Sequence, residues 1–214
     1  MRALKRKARA SKRSKARKSK RRAKYVLKHR GGTRRVLARR DPATQRWIAI
    51  KENRKVEEAR EEFRAMRSCR DFTHLVRPER FFLRKGKGCI AMEWVPGPTL
   101  REAIHRGPFA PAQAAAIALG VLGGLKELHR AGFVHGDLHA GNVIVTDLEQ
   151  GTVKIIDFQH AVPLGPRGRA KAKRKLSKPP PALAPESKRS GIDVRYDLYG
   201  VGYMLAAMLL GREP

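Results

Sequence analysis

Residues 135–159 read HGDLHAGNVIVTDLEQGTVKIIDFQ, and their pattern decides the rest. Two isolated acids, Asp137 and Asp157, frame the stretch, and Asn142 follows the first acid by five residues. Between them VIV, a turn-like TDLEQGT and VKII predict two short buried strands joined as a hairpin. Such a hairpin folds back on itself, so Asn142 and Asp157 at its open end come close together, with Asp137 in the loop just before it. Three oxygen-bearing side chains at one hairpin mouth suit a hard divalent cation and a hydroxyl to be activated, which phosphoryl transfer requires.

HGDLHAGN is similar to the catalytic loop of the protein-kinase-like superfamily (H-x-D-x-x-x-x-N), and IIDFQ resembles its metal-binding D-F-G segment. The first motif also fits aminoglycoside-type phosphotransferases. Ala184-Pro185-Glu186, however, copies the A-P-E that closes a protein kinase's activation segment. DLYGVGYML from Asp197 resembles the D-x-W-x-x-G helix that follows it. The likeness runs over roughly residues 25–214 and implies an α+β, bilobal fold. Its small β-rich N-lobe is expected at 25–95 and its mainly helical C-lobe, lacking the last helices, at 96–214.

The hydrophobic pattern agrees with that order. Strands are expected at 25–28 and 34–40, a turn at Asp41-Pro42-Ala43-Thr44, and a strand WIAIK ending at Lys51. Val56, Ala59, Phe63 and Met66 recur at helical spacing. Strands near 79–84 and 89–94 flank Lys85-Gly86-Lys87-Gly88. Helices are expected at 99–105, from Pro111 to about Arg130, and from about Asp193 to Leu210. Strands first and helices later suit two lobes of different composition.

The resemblance carries roles onto single residues. Asp137 matches the catalytic base that accepts or orients the substrate hydroxyl, and Asn142 and Asp157 match the magnesium ligands. Lys51 in IAIK matches the lysine that reaches the α- and β-phosphates of ATP, and such a lysine needs a carboxylate beside it. Glu62 is the choice by spacing and Glu58, one turn earlier, the alternate. His139 stands where a γ-phosphate contact is expected, carrying charge only when protonated. His135 is structural. Val36 and Ala49 would roof the adenine slot and Ile144 floor it, although core packing alone also explains these three. Met92 matches the gatekeeper and Glu93-Trp94-Val95 the hinge.

The chain departs from the family at four places. H-R-G-G-T-R stands for the glycine-rich phosphate loop, so only Gly31 falls on an expected glycine, with Gly32 beside it. Gly136 replaces an arginine that commonly pairs with a phosphorylated activation loop. Gln159 replaces the glycine of D-F-G, at a cost in backbone freedom. Glu186 lacks the late-helix arginine that would pair with it. Asp197 is expected to hydrogen-bond backbone amides of the catalytic loop.

The formal charge of +30 is unevenly spread. Residues 1–24 hold fourteen Lys or Arg and no acid, a composition that cannot bury enough surface to fold and predicts a disordered tail. Without interleaved aromatics, any nucleic-acid contact of this tail is phosphate-directed, and solubility or localisation explains it equally well. A second basic run lies at Arg167–Lys178, near Ser177. Cys69 and Cys89 suggest reduced core thiols and no disulfide framework. No apolar signal region follows the basic start, and Val201–Leu210 falls short of the roughly 20 residues a membrane span takes. The expectation is a cytoplasmic, ATP- and Mg-dependent Ser/Thr protein kinase. A kinase for a sugar, lipid-linked sugar or antibiotic hydroxyl is the second reading. The third is a pseudokinase or polyanion-binding module.

Overall fold

The computed structural model describes residues 35–165 and 192–214, with the backbone of 25–27. The tail at 1–24, Gly31 and Gly32, the basic run at 167–178 with Ser177, and Ala184–Glu186 lie outside the described residues.

Strands β1 (Tyr25–Leu27), β2 (Arg35–Arg40), β3 (Trp47–Asn53), β4 (Pro78–Arg84) and β5 (Lys87–Glu93) form one antiparallel sheet in the order β1-β2-β3-β5-β4. The turn into β3 closes on Asp41, whose Oδ1 accepts from the amides of Ala43 and Thr44 at 2.9 and 3.1 Å. Side chains on β3 alternate. Ile48 and Ile50 pack with Cys89, Ala91 and Phe82 on one face, while Ala49 and Lys51 point to the other. That second face receives helix α1 (Val56–Ser68), whose buried stripe is Ala59, Glu62, Ala65 and Met66. The period-3.6 pattern found Ala59 and Met66 but not Ala65, and Glu62 is the polar residue within the same stripe.

A second unit follows. Helix α2 (Leu100–Ile104) starts in a capping box, the Thr99 hydroxyl accepting from Glu102 N and the Glu102 carboxylate from Thr99 N. Helix α3 (Pro111–Arg130) takes its proline at the first turn, where the missing N–H costs nothing. Next come β6 (Phe133–Val134), a 3₁₀ turn at Ala140–Asn142, and the hairpin of β7 (Val143–Asp147) with β8 (Thr152–Ile155). Strand β9 (Val162–Pro163) returns to pair with β6, a link the alternation of apolar residues did not reveal because two residues are too few to show a period. Helix α4 (Val194–Leu210) is capped by the Asp193 carboxylate and ends on Gly211 in the left-handed conformation.

One continuous core joins both units. Met66, Leu75, Ile90, Met92 and Val95 from the sheet side belong to the same buried cluster as Leu125, Val143, Ile155, Phe158 and Met204. Residues 74–76 stitch across it, His74 O and Val76 N bonding to the amide and carbonyl of Ile155 at 2.8 and 3.0 Å. Cys69 and Cys89 are buried single thiols, and burial pushes the Cys69 pKa up to about 12. Among the described residues no helix is long and apolar enough to cross a membrane.

Candidate active site

Strand alternation turns Lys51 inward, and α1 meets it with Glu62. Lys51 Nζ lies 2.6 Å from Glu62 Oε1 and 2.7 Å from Asp157 Oδ1, with the lysine and Glu62 side chains almost completely buried. Burial alone pushes the ammonium's pKa down. The Asp157 and Glu62 carboxylates more than offset this, and the Lys51 pKa ends above its ordinary value. Glu62 is therefore the lysine's partner. Glu58, the alternate, turns to Asn53, Lys55 and Gln159 instead.

The hairpin's open end brings Asn142 to the Asp137 loop. Ile156 N donates to Asn142 O at 2.8 Å, closing the open end, and Asn142 Nδ2 donates to Asp137 O at 2.8 Å. Committing the NH₂ end of Asn142 leaves its Oδ1 as the side chain's acceptor, and the Asp157 carboxylate is the second oxygen donor at the hairpin mouth. Asp157 adopts a left-handed backbone (φ 65°), a conformation that costs a non-glycine residue of order 1 kcal/mol and directs its carboxylate back toward Lys51. Such a sparse, oxygen-only donor set fits magnesium, which keeps waters and shares substrate phosphates. Among the described residues no cluster of three or more His, Cys, Asp or Glu side chains could hold a metal, so a closed protein cage has no counterpart there.

Asp137 is flanked by two imidazoles, His139 Nε2 and His160 Nε2, each 3.9 Å from its Oδ2. His139 Nδ1 accepts from Gly141 N at 3.0 Å, so Nε2 carries the proton on the side of Asp137. Burial lowers the His139 pKa despite the pull of Asp137, which keeps the ring neutral at neutral pH. Gly136 has φ +74°, and a Cβ there would sit 2.7 Å from His160 O. The position that holds arginine in the family is thus, in this chain, a backbone contact open only to glycine.

Below the loop, Asp197 is fully buried. Its Oδ2 accepts from His135 N at 2.8 Å and pairs with His129 Nε2 at 2.7 Å, and Oδ1 accepts from Gly136 N at 3.0 Å. The expected amide contacts are present; His129, on the last turn of α3, carried no signal in the sequence.

Where the resemblance puts the adenine slot, Val36 and Ile144 pack against the cluster that contains Ala49, Met92 and Val95. Ile144 bridges to Thr99 and lies beside Gly97, where any Cβ would collide with Val145 O. The Glu93 side chain is engaged by Lys154 and Arg77. Its Oε1 accepts from Lys154 Nζ at 2.8 Å and from Arg77 N at 2.9 Å. Lys154 also donates to Phe72 O and Leu75 O at 2.5 and 3.3 Å. Sequence reading missed Lys154, although a lysine flanked by Val153 and Ile155 in a buried strand was the available sign. It missed His160 as well, which only the fold brings to Asp137.

Comparison with known proteins agrees with this geometry. The chain is 37% identical over 128 residues to the "probable serine/threonine-protein kinase PknB" of Bifidobacterium longum, covering 58% of this chain and 18% of that one. It is 37% identical over 133 residues to the "serine/threonine-protein kinase PknL" of Mycobacterium tuberculosis, covering 58% of this chain and 31% of the relative. A fungal "serine/threonine-protein kinase SMU1" from Mycosarcoma maydis is 31% identical over 135 residues, 62% of this chain and 17% of its own. The chain thus spans about a fifth to a third of the length of these relatives. The protein kinase domain profile matches residues 30–214, which is most of the sequence, and the chain belongs to that family.

Proposed function

We propose that the protein transfers the γ-phosphate of ATP to a Ser or Thr hydroxyl of a protein substrate. The observation that carries this reading is the buried Lys51–Glu62–Asp157 contact, built from residues up to 106 positions apart beside an Asn142 bonded to the Asp137 loop. In this reading Lys51, held by Glu62, neutralises the α- and β-phosphates. Val36, Ala49, Ile144 and Met92 enclose the adenine, with the Glu93–Val95 backbone along its edge. Gly31 and Gly32 are proposed to approach the phosphates.

Magnesium, when bound by Asn142 and Asp157, supplies positive charge against the triphosphate. Asp137 orients the acceptor hydroxyl and takes its proton. Neutral His139 carries its proton on Nε2, 3.9 Å from Asp137 Oδ2, and in this reading donates it to a transferring phosphoryl oxygen. Catalysis of this kind is chiefly positioning and electrostatics. The names of the relatives support a protein acceptor, and ATP as donor points to action in the cytoplasm. The fourteen basic residues of 1–24 support an electrostatic hold on a polyanion, which a salt titration of DNA binding tests.

The deciding experiment incubates the purified chain with labelled ATP, a mixed protein substrate and a panel of sugar and antibiotic acceptors. Asp137→Asn is expected to lower transfer roughly 10²–10⁴-fold while sparing ATP binding. Asp157→Asn is expected to weaken magnesium-dependent binding as well. Transfer confined to small acceptors would replace the protein-substrate reading, and full activity in Asp137→Asn would remove the base assignment.

A further inference from the structure

Gln159 stands where the family motif has glycine, and its side chain spans a gap that glycine leaves open. Its Nε2 donates to Glu58 Oε2 at 3.1 Å, and its backbone N–H donates to Asp157 Oδ1 at 3.3 Å. Glu58, being an acceptor, fixes which end of the amide faces it. Glu58 and Glu62 lie one turn apart on the same face of α1. The contacts therefore close a ring: Glu62 to Lys51, Lys51 to Asp157, Asp157 to Gln159, Gln159 to Glu58, and back along the helix. Asn53, buried on β3 two residues beyond Lys51, adds a spoke to Glu58 at 3.4 Å.

We infer that Gln159 is a positioning residue that ties α1 to the 157–159 segment independently of Lys51, holding Glu62 on the lysine without covalent modification of the chain. The inference deepens the kinase reading and rests on it, because what the ring positions is the Lys51–Asp157 pair assigned above. One further feature points the same way. Gly136, held to its glycine by the His160 carbonyl, removes the arginine through which a loop phosphate would act. Gln159 then supplies from within the fold an ordering contact that a phosphate would otherwise provide.

The test uses the full chain. Gln159→Glu sets a second carboxylate against Glu58, whereas the double variant Glu58→Gln/Gln159→Glu restores an amide–carboxylate pair with the roles exchanged. Transfer kinetics and amide hydrogen exchange across residues 56–68 are read for wild type and both variants, before and after phosphatase treatment. Gln159→Glu is expected to lower kcat about tenfold, the worth of a hydrogen bond to a charged group, with KM for ATP much less affected. Exchange in α1 should accelerate in parallel. The double variant should recover both, and phosphatase should leave the wild-type rate unchanged. An unaffected Gln159→Glu, a double variant as impaired as the single, or a wild type silenced by phosphatase would each overturn the inference. If wild type transfers no phosphate at all, the kinase reading falls, while the exchange data still decide whether residues 58 and 159 are coupled.

Discussion

Lys51 shows how one side chain can be both necessary and costly. Its buried ammonium sits between two carboxylates, so removing it takes one positive charge away from both Glu62 and Asp157. Lys51→Met is expected to cost about 3–5 kcal/mol, measured by urea unfolding at neutral pH, because removing one member of a buried ion pair is strongly destabilising. The pH dependence has a definite sign. The folded pKa lies above the unfolded value of 10.5, so the lysine's contribution is complete below pH 10.5 and is lost as pH rises through the folded pKa. The stability gap between wild type and Lys51→Met should stay level from neutral pH to about 10.5 and narrow beyond it. Constancy through the alkaline range would mean that the pair does not form. Lys51, Asn142 and Asp157 were legible as a set because each falls at a fixed position in a sequence motif. Spacing favoured Glu62 over Glu58, which lies one turn earlier on the same helix face, and the structure sets Glu62 on Lys51 while Glu58 turns to Asn53, Lys55 and Gln159.

Among the elements, α4 does more than cover the core. Its first turn presents Asp197 to the loop before the hairpin, and three donors converge on that one carboxylate. Asp197→Asn retains one acceptor oxygen and turns an NH₂ toward a donor. It is expected to cost about 1–3 kcal/mol in urea unfolding and to speed amide exchange at 135 and 136, as buried N–H groups lose their partner. Unchanged exchange there would show that the loop is held by other means. The elements themselves were readable within two residues or so. β-Branched runs, the 3.6 period of α1, Pro111 at the head of α3 and Gly211 at the tail of α4 each state a local preference. Strands β6 and β9 escaped notice because a two-residue ladder is chosen by its neighbours and not by its own sequence.

Across the whole molecule, Lys154 joins parts that are far apart in the chain. Its ammonium holds the carbonyls of Phe72 and Leu75 and the carboxylate of Glu93, linking the hairpin to the segment before β4 and to the end of β5. Lys154→Met should cost about 1.5–3 kcal/mol, the range for hydrogen bonds to charged groups. On the proposed function it should also raise KM for ATP more than it lowers kcat, with Lys154→Arg restoring part of the loss. An unchanged KM would confine Lys154 to stability. The amino-acid sequence alone determined the class of fold, the order of elements and the principal acids of the site, because strand and helix periods, turn residues and motif spacing are local properties of the chain. Tertiary structure alone decided that His160 stands beside Asp137, that Gln159 reaches Glu58 and that Lys154 reaches Glu93. Each of those contacts joins segments whose separation along the chain carries no record of their distance in space, and only the packing of α1, the sheet and the hairpin around one core sets it.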